Sequence, residues 1–205
     1  MRISKIAAAG ALAVLGLGFA APPKADAAFI MYLYQDGGNV VATGSGSLDL
    51  TDLSLTDPND NNTHFIGPKF ALIFTGLGDL DLYGSISGPS NFGIGPRSSE
   101  SSETGDGVGV SGNLLAVPTG YVSGTTLTSS ATLDGRTLAN MRATPGTYTW
   151  TWGTGLNADS FTLDVLNVGS LPPTGAPEPA SLLLLGTGVA ALGLRRRRVT
   201  QASRD

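Results

Sequence analysis

The chain has 205 residues with no cysteine, 29 glycines, 12 prolines and a formal charge of −4 at pH 7. The lack of cysteine excludes disulfides, thiolate nucleophiles and zinc–thiolate clusters. Between residues 28 and 176 four basic residues face thirteen acidic ones, a balance of −9, which argues against a nucleic-acid partner.

The start of the chain has three parts. Arg2 and Lys5 are basic, residues 6–21 are an unbroken apolar run, and Ala25-Asp26-Ala27 is a small-residue cleavage site. That order is the pattern of a secretory signal peptide over residues 1–27, with cleavage after Ala27. The apolar run of about 16 residues is short for the ~20 that a spanning helix needs.

Residues 28–169 read as one all-β domain, an antiparallel β-sandwich or jelly roll of about nine to eleven short strands. "FIMYLYQDGGNVVATGSGSLDL" predicts a strand, a turn at Asp36-Gly37 and a second strand. "SGSLDLTDLSL" alternates, which places Leu48, Leu50, Leu53 and Leu55 inward. In "LGDLDLYGSIS" the same rule puts Leu80, Leu82 and Ile86 on one face and Asp79, Asp81 and Tyr83 on the other. Residues 96–107, "PRSSESSETGDG", are polar with no apolar face and read as a long mobile loop. A single helical turn is expected at residues 137–141.

Few residues in this domain carry chemistry. Asp57, Asn59 and Asn61 have the spacing of the first three ligands of a calcium loop, but Asn62 stands where Gly is wanted and Pro68 where a bidentate Glu belongs. An EF-type site is therefore rejected; a looser Ca²⁺ site stands beside an ordinary Asx-rich turn. Otherwise no cofactor is expected. Asp79 and Asp81, at i and i+2, fit the solvated face of a strand better than a pair of glycosidase carboxylates. His64 is the only histidine, and no Ser–His–Asp spacing surrounds it. No enzymatic activity is expected.

"TYTWTW" separates Thr147, Thr149 and Thr151 from Tyr148, Trp150 and Trp152 on opposite strand faces. Three readings follow. The aromatic face fills the core, or Trp150 and Trp152 stack on sugar rings, or the threonines form a flat ice-binding face. Three threonines on one strand are too few for ice, which needs several strands in register.

Residues 170–179 form a Pro- and Gly-rich linker, and residues 180–205 a short transmembrane helix with a basic end. From residue 180 to 194 only Ser181 and Thr187 carry hydroxyls. Fifteen helical residues rise about 22 Å, less than the ~30 Å hydrocarbon core, and arginines extend the span by snorkelling. Arg195, Arg196, Arg197 and Arg198 then stay on the cytoplasmic side and leave the domain outside.

"PEPASLLLLGTGVAALGLRRRR" resembles the PEP-CTERM sorting signal of exported proteins in Gram-negative bacteria. Pro177, Glu178 and Pro179, the Gly-interrupted apolar stretch and the basic stop occur in that order. The resemblance implies a membrane-embedded exosortase as processing partner, a transient stay in the inner membrane, and delivery to the cell surface or extracellular matrix. The prolines hold the triplet extended, as a protease-like groove requires. A competing pattern lies upstream, where Leu171, Pro172, Pro173, Thr174 and Gly175 match the Leu-Pro-any-Thr-Gly signal of sortase-anchored wall proteins. The adjacent triplet and the arginine-only cluster fit the exosortase reading better. "LLAVPTGYVSG" and "TPGTYTWTWGTGLNADSFTL" resemble a recurring group of PEP-CTERM proteins, and this likeness implies the same architecture without an activity. The expectation is an exported surface or matrix protein with a structural or interaction role. A carbohydrate-binding module, with exopolysaccharide as partner, is the alternative.

Overall fold

Alternating side chains punctuated by glycine give thirteen strands in the computed structural model, which describes residues 28–60 and 65–173. They are β1 (Ala28–Asp36), β2 (Asn39–Gly46), β3 (Ser54–Asp60), β4 (Phe65–Gly67), β5 (Leu72–Thr75) and β6 (Leu80–Gly84). After them come β7 (Ser98–Ser99), β8 (Ser102–Gly105), β9 (Val108–Ser111), β10 (Leu114–Pro118), β11 (Leu127–Leu133), β12 (Gly146–Trp152) and β13 (Asp159–Val165). The first hairpin forms as its sequence demands. Asp36 pairs with Asn39 across Gly37 and Gly38, and Gly37 takes the positive φ of 57° that this two-residue turn needs.

Six strands make one sheet in the order β12-β13-β1-β2-β11-β8, and seven make another in the order β3-β6-β10-β9-β5-β4-β7. Pairings are antiparallel except between β1 and β13, which run parallel with Ala28 opposite Ser160 and Leu33 opposite Val165. This one parallel pair departs from the antiparallel expectation. It also sets the chain's entry and exit at opposite ends of the six-stranded sheet.

Side chains from both sheets share one core. Phe29, Met31 and Leu33 of β1 meet Ile73 of β5, Val108 and Val110 of β9, and Leu115 and Val117 of β10. Phe29 stacks on Phe161 at 5.5 Å, and Trp150 meets Phe161 edge-on at 6.0 Å. Gly44 lies where a Cβ would stand 2.5 Å from the Phe29 ring, so only glycine admits that ring. Gly88, on the long connection after β6, is pressed against Trp150 in the same way.

A second apolar cluster lies outside this core. It consists of Leu72, Phe74, Leu80, Leu82 and Ala116, with Phe65 and Leu114 packed against it. Their chain neighbours Ile73, Leu115 and Val117 belong to the shared core, so pleating puts this cluster on the other face of the seven-stranded sheet. Leu80 and Leu82 therefore share one face, as expected, and it is the face away from the shared core, while Tyr83 packs against that core. Ile86 returns to that core because Ser85, with φ 81°, breaks the alternation.

Three further expectations are corrected or refined. Residues 96–107 contain β7 and β8, where a continuous loop was expected. Edge strands need partners rather than an apolar face: the Ser101 N–H donates to Thr132 O at 2.7 Å and the Asp106 N–H to Thr128 O at 2.6 Å. Residues 47–53 cross irregularly from one sheet to the other, with Leu48 and Leu50 buried and Leu55 50% exposed. Residues 137–141 form the expected turn, closed by a bond from the Met141 N–H to Thr137 O at 3.0 Å. Among the described residues no helix is long and apolar enough to cross a membrane. The expected signal peptide and transmembrane helix lie outside those residues.

Candidate functional site

The alternation of β12 separates its two faces completely. Trp150 is fully buried and Trp152 is 5% exposed, whereas Thr147, Thr149 and Thr151 face outward and are exposed. Both indoles are satisfied inside, with Trp150 Nε1 donating to Gly112 O at 3.0 Å and Trp152 Nε1 to Asp49 O at 2.7 Å. The sugar-stacking reading of Trp150 and Trp152 is thereby corrected: neither ring has a face open to a ligand.

The outward face gains its meaning from register. One row crosses all six strands through Thr147, Asp164, Tyr32, Thr43, Ser130 and Thr104. The next row runs Thr149, Thr162, Ile30, Ser45 and Thr128. On the other side lies Tyr34, with Val41, Thr132 and Ser102 in line. Neighbouring rows stand about 7 Å apart and neighbouring strands about 4.8 Å, so six strands span roughly 24 Å. Thr147 donates to Asp164 at 2.5 Å, and Thr149 and Thr162 share a bond of 3.1 Å. Tyr32 and Tyr34 are partly exposed on β1 near the middle of the sheet.

Of the remaining candidates the structure describes Asp57, Asn59, Asp79 and Asp81. Asp57 is exposed on β3, an edge strand whose register shifts on both sides of it. Asn59 takes φ 56° and its N–H donates to Asp81 Oδ1 at 3.1 Å. Asn61 and His64 lie outside the described residues, as do Ala25, Ala27, Pro177, Glu178, Pro179 and the four arginines. Asp79 is exposed, whereas Asp81 is 7% exposed and also accepts from the Gly120 N–H at 3.0 Å. That Gly120 bond leads in holding its carboxyl below the ordinary range, against the opposing effect of burial. Asp81 thus ties backbone segments together and does not form a solvated pair with Asp79. Among the described residues no group of three or more His, Cys, Asp or Glu is arranged to hold a metal.

A buried polar knot closes one end of the domain. The Asp49 N–H donates to Asp159 Oδ2, Asp49 Oδ1 accepts from the Thr51 N–H at 3.0 Å, and the Leu48 N–H donates to the Tyr121 hydroxyl oxygen at 2.9 Å. Burial raises the Tyr121 phenol above its ordinary value, and the charges of Asp159 and Asp49 act in the same direction. These bonds satisfy the irregular 47–53 crossing, a structural task. Glu100, between β7 and β8, is different. Its carboxylate oxygens are buried without a hydrogen-bond partner, and burial followed by the neighbouring Glu103 charge pushes its pKa up to about 8.

Sequence reasoning missed the rows because cross-strand register joins residues far apart in the chain. A local signal existed for Tyr32 and Tyr34, which alternate with Phe29, Met31 and Leu33 in "FIMYLY".

The described residues form an all-β domain of two sheets. Its tail defines the delivery route: residues 176–198 match the family described as PEP-CTERM protein-sorting motif. That match covers the tail and none of the two-sheet domain. No curated protein and no solved structure is significantly similar to the chain.

Proposed function

We propose that this chain is an exported protein that an exosortase processes at its PEP-CTERM motif, and that its β-sandwich domain serves a structural or interaction role without catalysis. The observation that carries the reading is the match over residues 176–198, where Pro177-Glu178-Pro179 precedes an apolar stretch and four arginines. The signal at residues 1–27 brings the chain across the inner membrane, and the apolar stretch holds it there with the arginines inside. Cutting near the triplet then frees the domain for the cell surface or the extracellular matrix.

The chain's two-sheet domain is compatible with this role. The carboxylates of Asp81 and Asp159 accept from backbone N–H groups, and its aromatic core holds the sheets together without disulfides. Intact mass of the mature protein from its host, with peptide mapping of the C-terminus, tests the proposal. An end near residues 177–180 is expected. An end at Thr174 would transfer the case to a sortase, and retention of Arg195 to Arg198 would make the tail a permanent anchor.

A further inference from the structure

We propose that the outward face of the six-stranded sheet is a binding platform for a neutral, extended polysaccharide, with Tyr32 and Tyr34 as its stacking residues. The inference rests on the interaction role assigned above and is independent of how the tail is cut.

Three observations carry it. The first is that Tyr32 and Tyr34 lie two residues apart on β1, pointing away from the core that Phe29, Met31 and Leu33 fill. A tyrosine offers a rigid apolar ring with a polar tip and loses little entropy when a ligand covers it. Sugar rings, with apolar C–H faces and a rim of hydroxyls, match that character.

The second is what flanks the rings. Tyr32 has Asp164 on one side and Thr43 on the other, followed by Ser130 and Thr104. Each hydroxyl both donates and accepts, as the hydroxyls of a sugar do, so pairing needs no fixed polarity. The row continues across about 24 Å of sheet, which suits an extended chain rather than a single sugar.

The third is charge. Asp164 is the one ionisable carboxylate in these rows, and Thr147 already donates to it at 2.5 Å. The exported portion as a whole carries thirteen acidic against four basic residues. A polyanionic glycan would be repelled by Asp164 and by Asp36, which follows Tyr34 on the same strand face, whereas a neutral one would not.

The tyrosines also decide against the competing surface, a water lattice. Ice binding requires side chains of even height, and two phenol rings standing among Thr and Ser break that plane. A protein partner is disfavoured because the rows offer only Ile30 and Val41 as aliphatic anchors.

The test is retention of the full chain, in a zwitterionic detergent, on microcrystalline cellulose and on chitin, two neutral β-linked polysaccharides. Wild-type protein and the Phe70→Ala control, which alters an exposed ring outside the platform, are expected to be retained alike. Tyr32→Ala/Tyr34→Ala is expected to lose at least about tenfold in retention with a melting midpoint close to wild type. Should that variant unfold, Thr43→Val/Ser130→Ala, which keeps shape and removes hydroxyls, decides the matter through the same loss. Equal retention of the folded platform variants overturns the proposal. So does failure of the wild type on both polysaccharides, with or without adsorption to ice. Because unprocessed chain is used, either failure leaves the C-terminal mass test of the delivery route untouched.

Discussion

The two outward sheet faces of this domain have opposite chemistry. On the six-stranded sheet the outside carries Thr147, Thr149, Thr162, Thr43 and Ser130 in register, interrupted by Tyr32 and Tyr34. On the seven-stranded sheet the outside is an apolar cluster of Leu72, Phe74, Leu80, Leu82 and Ala116. The difference is written into the strands. β11 "LTSSATL" and β13 "DSFTLDV" alternate strictly, so one face is polar. β5 "LIFT" and β10 "LLAVP" are nearly continuous apolar runs, and their faces are buried on both sides. One outer face is thus available for recognition, and the other contributes to stability.

The largest test of this contrast compares the two faces of β12. Trp150→Ala removes a fully buried ring that packs on Phe161, and a loss of about 3–5 kcal/mol is expected in denaturant unfolding. A domain of this size has only about 5–15 kcal/mol to lose, so unfolding at 37 °C would not surprise. A loss below about 1 kcal/mol would mean that the ring is outside the core after all.

The second test asks whether the outer apolar cluster behaves as core. Leu82→Ala is expected to cost about 2–3 kcal/mol in the same assay. Its counterpart on the hydroxyl face, Thr149→Ala, is expected to change stability by less than about 0.5 kcal/mol. Equal costs for the two would erase the distinction between the faces.

A third, pH-dependent effect concerns the junction where the chain passes from β7 in one sheet to β8 in the other. Glu100 holds its proton in the folded state up to about 8, against an ordinary value of 4.5. Between these two values the folded state binds the extra proton, so stability falls as pH rises from about 4.5 to about 8 and levels off above. Glu100→Gln keeps a neutral side chain and is expected to flatten this dependence, stabilising the protein by about 1–2 kcal/mol at pH 8, where solvent screening limits the effect. Melting midpoints across pH 5–9 check it, and an unchanged slope in the variant would falsify the assignment.

How much of this was legible in the sequence varied with distance along the chain. The β1–β2 hairpin was readable because Asp36-Gly37 and flanking apolar runs are local signals. The split of β12 into Trp and Thr faces was readable too, but not which face lay inside. Burial of Trp150 against Phe161 and Gly88 is a long-range matter. The polar segment of residues 96–107 misled because a short edge strand needs only backbone partners, here Thr132 and Thr128 of β11, and no apolar period betrays it. Ile86 misled for a different reason: alternation grouped it with Leu80 and Leu82, but the positive φ of Ser85 turns it to the other cluster.

The sequence by itself determined the all-β composition, the acidic character of the domain and its lack of thiols, and the sorting motif at residues 176–198. Those properties depend on residue types and on spacing within a few positions. Tertiary structure alone decided the parallel pairing of β1 with β13, the burial of both tryptophans and the alignment of hydroxyls from six strands around two tyrosines. Register couples residues more than a hundred positions apart, and the energy that fixes it comes from packing the shared core rather than from any local preference.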